Sequence, residues 1–237
     1  MIISVSGKMQ AGKDTTGKII QFLTQKNNEI SLEEMLQYPS TEQPNTTEWK
    51  IKKYAGKLKE CISLITGVSL LDLEREDIKN SNLGPEWNFF SEGDEYSMTV
   101  RKILQLFGTE GGRTVHPNIW VNALFADYKP TLTKESKNNL IGHLSRPKQF
   151  QNKEIEYRLP NWVITDCRFV NEANAAKERD GILINVVRDI PRDPAISQHA
   201  SETALDYYDF DYVLDNNGTI PELAEKVAKI LRQHQII

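Results

Sequence analysis

Cysteine is almost missing from this chain: Cys61 and Cys167 are the two among 237 residues, far apart and without paired spacing. That excludes a disulfide framework and a cysteine-based zinc site, and makes a reducing compartment the expected setting. Histidine is nearly as scarce, with His116, His143, His199 and His234 scattered along the chain, so a histidine-ligated metal is not expected. No apolar run is long enough to span a bilayer, the longest clean stretch being 181–187. The start, Met-Ile-Ile-Ser-Val-Ser-Gly, lacks a basic region and a long apolar region, which argues against a secretory signal. Glycine (13) and proline (10) are too few for a fibrous or low-complexity protein. An excess of positive charge is also lacking: the net charge is −4, whereas a general nucleic-acid binder is usually basic. Any anionic ligand must therefore be held by a local cluster of cations.

What is present is a soluble globular composition, 39% hydrophobic and 26% charged. The legible elements alternate between strand and helix. Ile2–Ser6 reads as a buried strand, and Ile19, Ile20 and Leu23 as the apolar stripe of the helix after it. A strand near 51–55 leads to a helix near 57–65, Thr99 caps a helix through Phe107, and Pro117 opens another near 118–128. Trp162–Thr165 is a strand ending at Asp166, and 170–180 a helix closed by Gly181 as its C′ residue. Ile182–Val187 is a continuous apolar strand of a sheet covered on both faces, and 212–214 is another strand. Thr219 and Glu222 form a capping box for a last helix whose Leu223, Val227, Ile230 and Leu231 face inward. The stretches 29–48 and 80–96 read as loops, and 129–160 as a surface insertion with hairpin character. The expected fold is α/β with a mainly parallel central sheet.

Between the first strand and helix lies Gly7-x4-Gly12-Lys13, a phosphate-binding loop. Its glycines let successive backbone N–H groups converge on phosphate oxygens, the helix N-terminus adds its dipole, and Lys13 reaches the β- and γ-phosphates. Asp14 stands where Ser or Thr usually touches magnesium, and the hydroxyls follow at Thr15 and Thr16. Direct ligation of a metal by the loop is therefore not assigned. Holding a donor triphosphate beside a phosphorylated acceptor brings about five phosphate charges together and needs several arginines at one point. Arg101 at a helix start, Arg113 after the glycine-rich 108–112, Arg168 beyond Asp166 and Arg188 after an apolar strand are the candidates. Asp166, Arg168 and Arg188 fall at strand carboxyl ends, where open α/β sheets bind ligands. Lys50, Lys52, Lys53, Lys57 and Lys59 read as a solvated basic face, with Lys57 or Lys59 able to approach an acceptor. Trp87-Asn88-Phe89-Phe90 reads as core packing rather than a pocket lip.

These segments resemble the phage-type deoxynucleoside monophosphate kinases. The resemblance runs in order through Gly7–Thr16, Tyr54–Lys59, Thr99–Glu110, Trp120-Val121, Asp166-Cys167-Arg168 with Asn171-Glu172, Val186–Arg188, His199 with Ser201-Glu202, and Asn216–Thr219. The loops at 29–48, 80–96 and 129–160 have no counterpart in it. It implies a single P-loop domain of three layers, with an acceptor-binding region near 50–128 and a lid near 188–200. ATP and Mg2+ would be the cofactors, and Gly7, Gly12, Lys13, Asp14, Thr15 and Thr16 would hold the donor. Asn217 and Gly218 would border its adenine. Arg101, Arg113 and Arg168 would hold the acceptor monophosphate, Asp166 would organise a magnesium-bound water or an arginine, and Arg188 and Arg192 would belong to the lid. Trp120 would stack on the acceptor base or sit in the core, and His199 would be a lid residue. The partners would be small nucleotides, with no nucleic acid and no membrane, in the cytoplasm (the host's for a viral chain), as a monomer or a homodimer. A P-loop kinase of a hydroxyl acceptor, like dephospho-CoA kinase, with Asp14 or Asp166 as base, is one alternative. A nucleotide-binding regulatory protein without turnover is another.

Overall fold

The structure, a computed structural model, describes residues 1–27, 29–38, 42–91, 94–133, 136, 156–191 and 200–237. Its centre is a parallel sheet of five strands: β1 (Ile2–Ser6), β2 (Trp49–Lys52), β7 (Asn161–Cys167), β8 (Ile182–Val187) and β9 (Tyr212–Asp215). They lie in the order β2-β7-β1-β8-β9, so successive crossovers run to opposite sides of β1 and leave a crevice at the carboxyl ends of the central strands. Ile3 stands between Val163 and Ile182 in this register. From Ser4↔Ile164 to Ser6↔Cys167 the pairing advances two residues on β1 and three on β7. That bulge falls on Thr165 and Asp166 and re-aims both side chains beside the crevice.

Helices cover both faces. On one, α1 (Lys13–Leu23) and the last helix α10 (Ile220–Gln233) bury Ile19, Ile20, Leu223, Val227, Ile230 and Leu231 against Ile3, Val5, Val163 and Ile184. On the other, α7 (Ile119–Phe125) and α8 (Val170–Lys177) pack Val121, Leu124, Ala173 and Ala176 on Ile2, Trp162, Ile164 and Leu183. A third cluster joins Leu58 and Ile62 of α3 (Tyr54–Thr66) to Val100 of α5 (Val100–Gln105) and Trp120 of α7. Among the described residues no helix is long and apolar enough to cross a membrane.

Several boundaries depart from the sequence reading. Residues 29–48 contain a helix, α2 (Leu32–Gln37), opened by a Ser31–Glu34 capping box whose local signal prevails over the loop-like composition around it. Residues 80–96 carry a short hairpin, β3 (Phe89–Ser91) with β4 (Asp94–Tyr96). The glycine-rich 108–112 is helical. Chain 106–111 forms a π-turn between α5 and α6 (Gly112–Val115). A Cβ at Gly108 would lie 2.7 Å from Leu58, and one at Gly112 2.7 Å from Trp120, so these glycines serve close helix packing. After α8 the left-handed residue is Asp180 (φ 55°) and not Gly181. Gly181 is required because a Cβ there would come within 2.6 Å of the Ala176 carbonyl. The base of the 129–160 insertion is a two-residue antiparallel pairing of β5 (Thr131–Leu132) and β6 (Tyr157–Arg158), and 137–155 lie outside the described residues.

Candidate active site

The glycine-rich loop leaves β1 and enters α1 at the head of the crevice. Gly7 (φ 143°) and Gly12 (φ 105°) take left-handed conformations, and a Cβ on them would collide with the Val186 carbonyl and with Asn216. The loop is braced from β9: Asn216 Nδ2 donates to the Ala11 carbonyl at 2.7 Å. Lys13 is 9% exposed and donates to the carbonyls of Gly7 (2.8 Å) and Lys8 (2.9 Å). Burial, with Arg168 nearby, lowers its pKa to about 8, against the pull of Glu202, Asp14 and Asp166. Thr16 turns back on the loop: its hydroxyl and its amide both donate to the Gly12 carbonyl (3.0 and 2.9 Å). Thr15 is half-buried in the first turn of α1.

Asp14 is held by two elements. The Thr165 hydroxyl donates to its Oδ1 at 2.6 Å, and Lys53 Nζ stands 3.1 Å from the same oxygen. Burial opposes ionisation of this carboxyl, but Lys53 and the Thr165 bond outweigh it and set its pKa below the ordinary value. Asp166 is engaged by the backbone of α3. Its Oδ1 accepts from the Tyr54 amide (2.8 Å) and its Oδ2 from the Ala55 amide (2.9 Å), capping α3. Burial raises its pKa against those two bonds and the nearby Lys53 and Arg168.

The arginines divide. Arg168 Nη1 donates to the buried carboxylate of Glu202 in α9 (Ala200–Thr203), whose other oxygen accepts from the Met9 amide of the loop at 2.7 Å. Lys8 of the same loop donates to the Glu202 carbonyl and to Asp206. Arg113 reaches the neighbourhood through Glu172, 2% exposed, which accepts from Arg113 Nη2 (2.7 Å) and from the amides of Arg168 (2.8 Å) and Phe169 (3.1 Å). The Arg113 guanidinium also stacks over the Phe169 ring, 3.9 Å from its centroid. Burial, then Asp166, pushes the Glu172 carboxyl up to about 7. Arg188 leaves β8 exposed and, with Gly7, Lys8, Arg168 and Glu202, lines a cavity of about 240 Å³ at the carboxyl ends of β1, β7 and β8.

Arg101 does not join this group. Its contacts are Glu76 of the short helix α4 (Glu76–Lys79) and Asn80, on an exposed surface fixed by the local α4–α5 packing. Trp120 is core: it is 6% exposed, donates Nε1 to the Gly108 carbonyl at 2.7 Å, and so cannot stack on a base. Asn217 ties the ends of β8 and β9 together through Asp189 and Asp215, and Gly218 makes room for the Glu222 side chain of the capping box. Arg192 and His199 lie outside the described residues. Of the basic run, Lys53, Lys57 and Lys59 are not a free solvated face, being paired with Asp14, with Asp127 and Glu60, and with Glu74. Sequence reasoning misses Asn216, Lys53 and the inward roles of Glu172 and Glu202. The short Asn216–Thr219, Asn171-Glu172 and Ser201-Glu202 segments hint at three of them.

A parallel sheet with a glycine-rich loop and buried lysine at the carboxyl end of its central strand defines a P-loop α/β protein. Comparison with known proteins narrows the class. The family model for deoxynucleotide monophosphate kinase matches residues 50–227, which begin after the loop itself. The deoxynucleotide monophosphate kinase of Escherichia phage RB69 is 28% identical over 175 residues, 72% of this chain and 57% of that protein. A putative deoxynucleotide monophosphate kinase of Acanthamoeba polyphaga mimivirus is 30% identical over 135 residues, 56% of this chain and 61% of that one. The chain thus spans about three-fifths of the length of these relatives. It belongs to the deoxynucleotide monophosphate kinase family.

Proposed function

We propose that this protein transfers the γ-phosphoryl group of ATP to a deoxynucleoside monophosphate, giving ADP and a deoxynucleoside diphosphate. The observation that carries the reading is a glycine-rich loop with a buried lysine, Lys13, beside a cavity that Lys8, Arg168 and Arg188 line, in a member of this family. The loop amides and Lys13 hold the donor. Arg168 and Arg113 hold the acceptor phosphate, Arg113 being presented by Glu172. Arg188, at the end of β8, faces the transferring group, and the Asn217–Gly218 turn borders the donor base.

The acceptor phosphate needs no protein base. Its second pKa is near 6, so at neutral pH it is largely a dianion and attacks the γ-phosphorus as the bond to the β-bridging oxygen breaks. Lys13 and the arginines neutralise the charge spread over the transferring group. Among the described residues no three ligating side chains come together as a metal cage. Asp14 and Asp166 are the carboxylates beside the loop that would neighbour a magnesium ion, which takes oxygen ligands. When bound, it supplies charge neutralisation at the β- and γ-oxygens.

The hydroxyl-acceptor alternative is disfavoured, because both carboxylates it would use as base are engaged, Asp14 by Lys53 and Thr165 and Asp166 by two amides. The test is ADP release with ATP and each ribo- and deoxynucleoside monophosphate, repeated with Arg168→Ala. Acceptor-dependent ADP with deoxynucleotides is expected, with the variant raising KM for the acceptor far more than for ATP. No acceptor-dependent ADP with any monophosphate refutes the reading.

A further inference from the structure

We propose that Lys53 is a positioning residue of the phosphate site, neutralising and orienting the Asp14 carboxylate so that Lys13 is left to the polyphosphate. The proposal rests on the kinase reading and extends it to a residue outside the loop. The loop carries an anion beside its lysine, where the usual hydroxyl would be neutral. An uncompensated carboxylate there competes with phosphate for Lys13, which already feels Asp14. The fold supplies the counter-charge from another strand.

Pairing of β2 with β7 sets Lys52 opposite Ile164, which brings Lys53 beside Thr165. Both side chains then reach Asp14: the Thr165 hydroxyl at 2.6 Å, and Lys53 Nζ at 3.1 Å from Oδ1 and 3.3 Å from Oδ2. Lys53 is fixed at its root, because Asp166 holds the amides of the next two residues, Tyr54 and Ala55. It stands at the N-cap of α3, where Asp166 accepts the amide bonds, and its ammonium is turned to Asp14. The Lys53 side chain is 17% exposed and that of Asp14 56%; Asp14, Glu74 and Asp166 hold the ammonium charged against burial, and Lys18 and Lys59 also lie near it. Asp14 thus has one hydroxyl and one cation on its carboxylate, which fixes the direction in which its charge points.

Calorimetric titration with ATP in EDTA tests this without any metal, using wild type, Lys53→Met, Asp14→Asn and the double variant. Lys53→Met is expected to weaken ATP binding roughly tenfold. The double variant is expected to recover most of that loss, because no carboxylate is left to neutralise. Lys53→Arg, which keeps the charge, is expected to bind within about threefold of wild type. A double variant as weak as Lys53→Met, a Lys53→Met protein that binds like wild type, or a Lys53→Arg protein as weak as Lys53→Met overturns the proposal alone. Wild-type protein that binds ATP in EDTA no better than the variants overturns the proposal, and wild-type protein that binds ATP neither in EDTA nor with magnesium overturns the kinase reading as well.

Discussion

Glu172 offers the sharpest test of how the site is held together. Its carboxylate, 2% exposed, accepts the guanidinium of Arg113 and the two amides that open α8. Glu172→Ala leaves a half-buried arginine without its partner and two helix-start amides without an acceptor. Breaking a buried pair by removing one member costs about 3–5 kcal/mol. Taking the lower end, about 3 kcal/mol, and about 2–4 °C per kcal/mol for a chain of this size, the melting temperature should fall by roughly 6–12 °C. Glu172→Gln separates charge from shape: its oxygen still accepts from the α8 amides, but its amide group faces Arg113 donor to donor and frees the arginine.

The pH dependence has a definite sign. The folded pKa, about 7, lies above the ordinary 4.5, so the folded protein holds a proton that the unfolded chain has lost. Stability from this group is fully present below about 4.5 and is lost as pH rises through about 7, a swing of about 3 kcal/mol at 1.36 kcal/mol per pKa unit. Thermal unfolding of wild type and Glu172→Gln at about pH 8 and about pH 5 reads it directly, and the wild-type advantage should grow toward the acid side. Parallel profiles for the two proteins, or a Glu172→Ala melting temperature within about 2 °C of wild type, would refute the reasoning.

Four further outcomes are expected. Lys13→Met should lower kcat at least ~100-fold while leaving the melting temperature close to wild type, since its Nζ bonds only loop carbonyls; steady-state rates and scanning calorimetry check both halves. Because Lys13 titrates at about 8 in the free protein, kcat/KM for ATP should fall as pH rises beyond that value. Asn216→Ala removes the brace on the Ala11 carbonyl and should raise KM for ATP roughly fivefold, on the order of 1 kcal/mol, with little change in KM for the acceptor. Trp120→Phe leaves the buried Gly108 carbonyl without its donor and should cost about 1–3 kcal/mol in urea unfolding without altering preference among acceptor bases.

The sequence alone determined the parts whose physics is local. Strand β1, the glycine-rich loop and the start of α1 are adjacent in the chain, and their glycines, lysine and apolar residues state the phosphate site without reference to anything else. The capping box at Thr219–Glu222 and the inward stripe of α10 were legible for the same reason. The family resemblance, a matter of ordered segments, pointed to the family that residues 50–227 match. Tertiary structure alone decided which distant side chains meet. Whether Trp120 faces a ligand or the core depends on α5 and its π-turn packing across it, and periodicity leaves both open. Arg101 and Arg168 look alike as isolated arginines, but crossover connections carry one to the α4–α5 surface and the other to the crevice. Lys53 lay in a basic run indistinguishable from a solvated face until strand pairing set it beside Thr165 and Asp14. Side-chain charge is written in the sequence, but the neighbour on which that charge acts is set by register and packing between segments far apart in the chain.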